Sequence, residues 1–529
     1  MKVAWAGVVA GIFGLTAMAY FVHPRVPLTP TAGAASAHHQ ASFGNLKTAP
    51  KISRSQAAAI VSPTVKPKAI PTRKVLANNG PLGTSAFFSG VVEGFYGPAW
   101  SQGNTIAILQ FMQQRGMNTF VYAPKNDAYL RSNWDQPYPS AALAQVATLV
   151  HAAQQNHIHF IVSISPGLSI VYSSAADRQA LLEKIGQLQS IGVHTFMLSF
   201  DDIPQTLDAT DQSVYGNNLA WAQSALADYV VSQESKNHSD FRLIFTPTIY
   251  SGVAENSYWE NLSQHLDPAV DVVWTGPWVL SPTITTAEVA QVRAEIGHPL
   301  IIWDNYPVND YSYVMYHRPQ LFMGPLVGRQ PGVVAQVQGY LFNPMLQPLA
   351  SEIALWTEAS FLRNPQGYNP EQSWLHAINA VGGKAASALA LFCQDSAQSY
   401  LNPNAPTSVN NDLTAFWSTY QNHGNLTATP LYKDFQQLAA LNGQLAASLN
   451  PELYQEIKPW SQQLASQGQC GVDLILALES QETNHGVSSS ILQSDVALSH
   501  AVLTSTLQLA TTSPVNQFIQ QVEALPPFA

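Results

Sequence analysis

From residue 86 onward, short apolar runs, many of them β-branched, alternate with longer stretches whose apolar positions recur at helical spacing. The short runs number eight, at 88–92, 119–122, 160–164, 195–200, 243–246, 272–274, 300–303 and 339–342. Amphipathic stretches separate most of them, as at 105–114 and 178–191. The runs have strand length and the spacers have helix length. Strands that alternate with helices pair in parallel. Eight units across about 260 residues predict a closed (β/α)8 barrel at 86–365.

Beyond about residue 366 the strand signal stops. Ala-, Leu- and Gln-rich segments at 374–393, 431–449 and 452–467 carry helical spacing, with Pro, Asn and Gly between them. The expectation is an α-helical domain over 366–529, packed beside the barrel, that shapes the outer side of the cleft or serves structure alone. Two segments precede the barrel. Residues 3–22 form an uninterrupted, mostly apolar run behind Lys2. It is long enough to span a bilayer, and Ala17-Met18-Ala19 fits a small-residue cleavage site, so 1–23 reads as a signal peptide or a membrane anchor. Residues 24–85, rich in Ala, Pro, Ser, Thr and Lys without periodicity, read as a disordered basic linker. Either reading places the barrel outside the cytoplasm, secreted or anchored to the outer face of the membrane.

Charge sharpens this picture. No acid precedes Glu93, whereas residues 93–529 hold 14 basic and 33 acidic residues, a net of −19. So acidic a body offers nucleic acid no electrostatic footing. Charged residues make up only 11% of the chain, against about 25% in ordinary soluble domains. Sparse charge limits self-repulsion as carboxylates protonate, which predicts tolerance of acid. The two cysteines, Cys393 and Cys470, exclude a cysteine-based metal cluster. In an exported chain they form either one disulfide or two separate buried thiols. The histidines show no ligand spacing, and no metal or cofactor is expected.

Barrel enzymes keep their chemistry at the carboxyl ends of the strands. There the fourth run closes with Asp201-Asp202 and is broken by Pro204. Alone, such a pair reads as a solvated turn. The other runs, however, also end in polar or aromatic clusters. These are Glu93-Gly94-Phe95-Tyr96-Gly97, Ala123-Pro124-Lys125-Asn126-Asp127, Ser165-Pro166-Gly167, Pro247-Thr248-Ile249-Tyr250, Thr275-Gly276-Pro277, Trp303-Asp304-Asn305-Tyr306 with Asp310, and Asn343-Pro344. Adjacent carboxyls cannot both ionise easily, so one stays charged while the other keeps a proton to donate. Neighbours on an ideal strand point to opposite faces. Both acids therefore reach one pocket only if the strand ends or twists there.

Taken in order, Gly-Val-Val-Glu-Gly-Phe-Tyr-Gly, Tyr-Ala-Pro-Lys, Ile-Ser-Pro-Gly-Leu, Phe-Asp-Asp-Ile and Trp-Thr-Gly-Pro resemble glycoside hydrolase family 84. These are the retaining β-N-acetylglucosaminidases that include protein O-GlcNAcases and bacterial hexosaminidases. The resemblance covers 86–365 and implies exo-acting removal of terminal β-linked N-acetylglucosamine from glycoconjugates. The substrate's own acetamido oxygen would be the nucleophile and an oxazoline the intermediate, the substrate-assisted exception to the two-carboxylate scheme. By position, Asp201 would hold the acetamido N–H and Asp202 would be the acid and base. Tyr250 would bond the acetamido oxygen. The resemblance further implies that Gly94, Lys125, Asn305, Asp310 and Asn343 grip the sugar hydroxyls and that Trp303 walls the acetamido pocket. Ile249, Asn126, Ser169 and the order Pro98-Ala99-Trp100 depart from the family pattern without removing any of these residues. Barrel hydrolases of families 18 and 20 use an Asp-Glu or Asp-x-Glu arrangement, and no Asp-Glu pair ends a strand here. A tethered sugar-binding protein without turnover, and a transglycosylase, are the remaining alternatives.

Overall fold

Eight strands close into one barrel: β1 Phe88–Glu93, β2 Thr119–Tyr122, β3 His159–Ile164, β4 Thr195–Ser199, β5 Arg242–Thr246, β6 Asp271–Trp274, β7 Leu300–Asp304 and β8 Gly339–Phe342. Each pairs in parallel with the next, and β8 returns to β1 with Gly339 opposite Phe88. The computed structural model describes residues 87–409, 412–482, 489–510 and 513–525. The expected signal or anchor segment at 1–23 and the expected linker at 24–85 lie outside the described residues. Among the described residues no helix is long and apolar enough to cross a membrane.

Alternation along each strand sorts the side chains into two layers. Val92, Val121, Ile161, Met197, Ile244, Val273, Ile301 and Leu341 fill the barrel interior. Their neighbours Val91, Phe120, Val162, Phe196, Leu198, Phe245, Val272, Ile302 and Tyr340 pack outward against the helices. With both faces buried, the strands read as nearly continuous apolar runs. Counting on by twos from the interior layer arrives at Gly94, Lys125, Asp201, Tyr250, Trp303, Asn305 and Asn343. The period of the strand therefore delivers these residues to the mouth of the barrel.

Helices Gln102–Arg115, Ser140–Gln155, Ala175–Gln189, Leu219–Glu234, Ser257–His265 and Thr286–Ile296 fill the crossovers. Side-chain oxygens of Ser101, Ser174, Asn218, Asn256 and Thr285 cap five of them. The β7–β8 crossover differs. It carries only the short helix Asp310–Val314 and the 3-10 turn Pro331–Gln336, because Pro319, Pro325 and Pro331 interrupt any longer helix. From it Arg329 reaches Asp304, with Nε 2.8 Å from Oδ2 and Nη2 2.6 Å from Oδ1. The Tyr340 hydroxyl donates to the same carboxylate at 2.7 Å.

After Pro348–Arg363 the chain is helical. The segment read at 374–393 is two helices, Pro370–Gly382 and Ala386–Asp395, divided at Gly383, whose φ of +50° suits glycine. The segment read at 452–467 extends to a helix of 32 residues, Pro451–Glu482. Gly468 and Gly471 argue against that extension by propensity. Both lie against Pro430–Ser448, at Leu438, Ala439 and Phe435, where packing decides. Cys393 and Cys470 are both buried and no disulfide joins them; Cys470 Sγ lies 3.3 Å from Ser499 Oγ. Of the two cysteine readings, separate thiols is the one the structure shows.

Several carboxyls are buried. Burial pushes Glu93 up to about 8, Glu352 and Glu456 to about 7, and Asp395 to about 6. Glu358 is raised further, first by burial and then by the Asp304 charge. A carboxyl raised in the folded state contributes stability that is complete below its unfolded value and is lost as pH rises through its folded value. His159, lowered by burial to about 4, opposes the trend by one proton. The melting temperature is therefore expected to fall as pH is raised from 5 to 9, and Glu93→Gln is expected to flatten that slope. Melts that stayed level, or rose, over this range would contradict the account.

Candidate active site

Asp201 and Asp202 follow β4 directly, and their main-chain conformation explains how both face one pocket. Asp201 keeps the inward parity of the strand. Asp202 has a φ of +53°, a left-handed value that aspartate tolerates at a cost of about 1 kcal/mol. That turn of the chain brings the second carboxylate back over the mouth, where it is exposed. Its Oδ2 accepts from the Tyr96 hydroxyl at 2.8 Å and its Oδ1 from the Tyr250 hydroxyl at 2.7 Å. Burial, then the Asp202 charge, hold both phenols well above their ordinary range, so they act as donors.

Asp201 is buried and differently held. Burial opposes its ionisation, but the Lys125 ammonium and the Arg131 guanidinium outweigh it and keep the carboxyl below the usual carboxylate range. Lys125 donates to Asp201 Oδ2 and has only 4% of its side chain exposed. Its ammonium also lies 5.7 Å from the Trp303 ring and 5.9 Å from the Tyr96 ring. Asp201 Oδ1 is buried and has no hydrogen-bond partner. A charged oxygen without a donor is costly to bury, and it is open to an incoming N–H. Beneath the pair, Ser199 Oγ lies 2.7 Å from Ser163 Oγ and 3.3 Å from Thr246 Oγ1.

A second group of residues forms the wall. Trp303 Nε1 donates to Asn305 Oδ1 at 2.9 Å, and Asn343 Nδ2 donates to the same oxygen at 3.0 Å. Asn305 Nδ2 donates to Val279 O at 2.8 Å, and Gly94 N to Asn343 Oδ1 at 3.3 Å. The indole crosses Gly94 so closely that a Cβ there would lie 2.1 Å from Trp303 Cζ2. Only glycine fits. Asp310 accepts from Tyr96 N at 2.7 Å and from Tyr311 N at 2.7 Å, and burial raises it to about 6.

The structure thus gathers Gly94, Trp303, Asn305 and Asn343 into one network. Lys125, Asp201, Asp202 and Tyr250 form another, and Asp310 braces the loop that carries Tyr96. Lys125, expected to grip sugar hydroxyls, donates here to Asp201, and Tyr250, expected to bond the acetamido oxygen, donates to Asp202. Sequence reasoning left four residues without a role. Tyr96 stood unassigned inside a quoted motif. Arg131, buried, places Nη2 3.4 Å from the Tyr96 hydroxyl and 3.4 Å from Asp202 O. Thr275 N donates to Tyr250 O at 2.9 Å. The Tyr400 hydroxyl, from the helical region, donates to Asn305 O. Thr275, like Tyr96, lies inside a quoted motif, whereas Arg131 and Tyr400 carry no local sequence signal.

Residues 89–394 match the model of a family described as beta-N-acetylglucosaminidase. Among curated relatives, the protein O-GlcNAcases of Rattus norvegicus and Mus musculus are each 32% identical over 288 residues, 53% of this chain and 30% of the relative. The match thus spans less than a third of their length. Among solved structures, a mutant O-GlcNAc hydrolase of Thermobaculum terrenum superposes with a TM-score of 0.75 at 30% identity, covering 83% of this chain and 94% of that one. A second structure, CpGH84B, gives 0.70 at 25% identity, covering 83% and 77%.

Proposed function

We propose that this chain, which belongs to the β-N-acetylglucosaminidase family (glycoside hydrolase family 84), removes terminal β-linked N-acetylglucosamine with retention of configuration by substrate-assisted catalysis. The observation that carries the reading is the division of labour in the acid pair. Asp201 is held charged by Lys125 and Arg131 with one buried oxygen open to a donor, and Asp202 stands exposed beside it. The substrate's acetamido N–H fits Asp201 Oδ1. Held there, the acetamido oxygen is turned toward the anomeric carbon and made more nucleophilic.

Bond formation from that oxygen to C1 accompanies cleavage of the glycosidic C–O bond, while Asp202 passes a proton to the departing oxygen. The oxazoline so formed carries positive charge, which the Asp201 carboxylate offsets. Water then attacks C1, Asp202 takes back a proton, and the C1–acetamido bond breaks. Two inversions at C1 give retention. Tyr250, released from Asp202 when substrate enters, would hydrogen-bond the acetamido oxygen. Trp303 would wall its methyl group, and Gly94, Lys125, Asn305, Asn343 and Asp310 would take the sugar hydroxyls. Export of the protein, read from residues 3–22, belongs to the same proposal.

The test compares an aryl N-acetyl-β-glucosaminide with the matching aryl β-glucoside, which lacks the acetamido group. Turnover of the first alone is expected. Equal cleavage of both would mean a protein nucleophile and end the assisted mechanism. Tight sugar binding without turnover of either would make the chain a sugar-binding protein.

A further inference from the structure

Large apolar side chains stand exposed on loops that follow the barrel strands. Leu168 follows β3, Trp278 follows β6, and Met315 and Tyr316 follow β7, with exposures of 36%, 60%, 43% and 57%. These loops lie at the carboxyl end of the barrel, the end that also carries the acid pair. The rule that assigns the acid pair accounts for none of them, because that rule ends at the first sugar. We propose that Trp278 is the platform for the second ring of the substrate, the neutral hexose on the far side of the bond that is cleaved. This rests on the function proposed above and names the class of its leaving group: a glycan, rather than a charged polypeptide.

The main chain at Trp278 is fixed on both sides by the site itself. Thr275 N donates to Tyr250 O at 2.9 Å, and Thr275 Oγ1 donates to Trp278 O at 3.2 Å. Ser281 Oγ accepts from Trp278 N at 3.0 Å and donates to Trp278 O at 2.8 Å. The turn closes only because position 276 is glycine, with φ +107° and a built Cβ 2.2 Å from Ser281 Oγ. On the other side, Val279 O receives Asn305 Nδ2. Trp278 therefore hangs between Tyr250 and Asn305, one step outward from the first-sugar network. A large side chain on so constrained a loop loses little freedom when a ligand covers it.

Its chemistry selects the ligand. An indole offers a flat apolar face, and a pyranose ring offers a flat face of C–H bonds to lie on it. The loop that carries Trp278 adds no charge of its own: residues 275–287 contain no Asp, Glu, Lys or Arg. Tyr316, held edge-on to Tyr311 at 5.9 Å with Tyr311 N bonded to Asp310, adds a second exposed ring to the rim. An exposed indole on an uncharged loop suits a neutral ring.

The experiment compares the full chain with Trp278→Ala on three substrates that share the terminal sugar. They are N-acetyl-β-glucosaminyl fluoride, which has no second ring; a disaccharide with a β-linked second hexose; and a serine-linked glycopeptide with charged flanks. The substitution is expected to lower kcat/KM for the disaccharide about tenfold more than for the fluoride, mainly through KM. Trp278→Phe is expected to recover most of that loss, and the glycopeptide is expected to follow the fluoride. Melting curves of the variants should match the parent, since the side chain is exposed. Equal losses on all three substrates would overturn the platform while leaving the function intact. A loss confined to the glycopeptide would overturn it in favour of polypeptide recognition. No turnover of any of the three by the parent would remove the function and this inference together.

Discussion

Asparagine in place of Asp202 is expected to lower kcat/KM about 10²- to 10⁴-fold on a β-linked N-acetylglucosaminide with an unactivated alcohol as leaving group. On an aryl glycoside whose phenol leaves without help, the loss should be far smaller. The difference isolates proton donation, because kcat/KM reports the step in which the glycosidic bond breaks. Asparagine is the informative replacement on structural grounds. It tolerates the left-handed backbone at φ +53°, and the site is exposed, so the fold should survive unchanged. Its amide can still meet the Tyr96 and Tyr250 hydroxyls, which sit 2.8 and 2.7 Å from the present carboxylate. Equal losses on the two substrates would show that Asp202 positions the sugar rather than protonating it.

Replacing Arg329 by methionine is expected to destabilise the fold by about 3–5 kcal/mol. Its guanidinium and the Asp304 carboxylate are each 1% exposed in their side chains and meet through two bonds. With Arg329 removed, Asp304 becomes an uncompensated buried charge beside Glu358, whose two oxygens already have no partner. The cost lies in the orphaned charge rather than in the loss of an attraction. Adding Asp304→Asn to the same chain should therefore restore part of the stability. Denaturant midpoints measured for the parent, the single and the double variant would decide this, and a double variant no better than the single would sink the charge argument.

The barrel was legible because both faces of its strands are buried, which turns each strand into a short apolar run bounded by polar residues. Register supplied much of the site: Gly94, Lys125, Asp201, Tyr250, Asn305 and Asn343 continue the inward parity past the strand ends. Asp202 does not. A period of two places it on the wrong face, and only its positive φ returns it to the pocket. No local pattern in the sequence encodes that angle. The pairing of Lys125 with Asp201 was likewise hidden, because the two lie 76 residues apart in the chain. Arg131 sits between Lys125 and the next helix in a stretch without periodicity, so nothing distinguished it from a loop arginine. Helix ends in the carboxyl-terminal region were misjudged where propensity and packing disagree, at Gly383 and at Gly468.

Tyr400 joins two parts of the molecule that sequence reading separates. It comes from beyond the barrel, 95 residues after Asn305, and its hydroxyl binds the main-chain carbonyl of that residue. Trp460 makes a similar reach, donating to Pro319 O at 3.0 Å. A gene shortened to end near residue 365 would encode both Asp201 and Asp202 and every strand of the barrel. It would still lack the prop beneath Asn305. For anyone recombining such enzymes, the transplantable module is thus the barrel with its helical companion. A recombinant that exchanges the helical region is expected to need a new donor to the Asn305 carbonyl, where Tyr400 now stands.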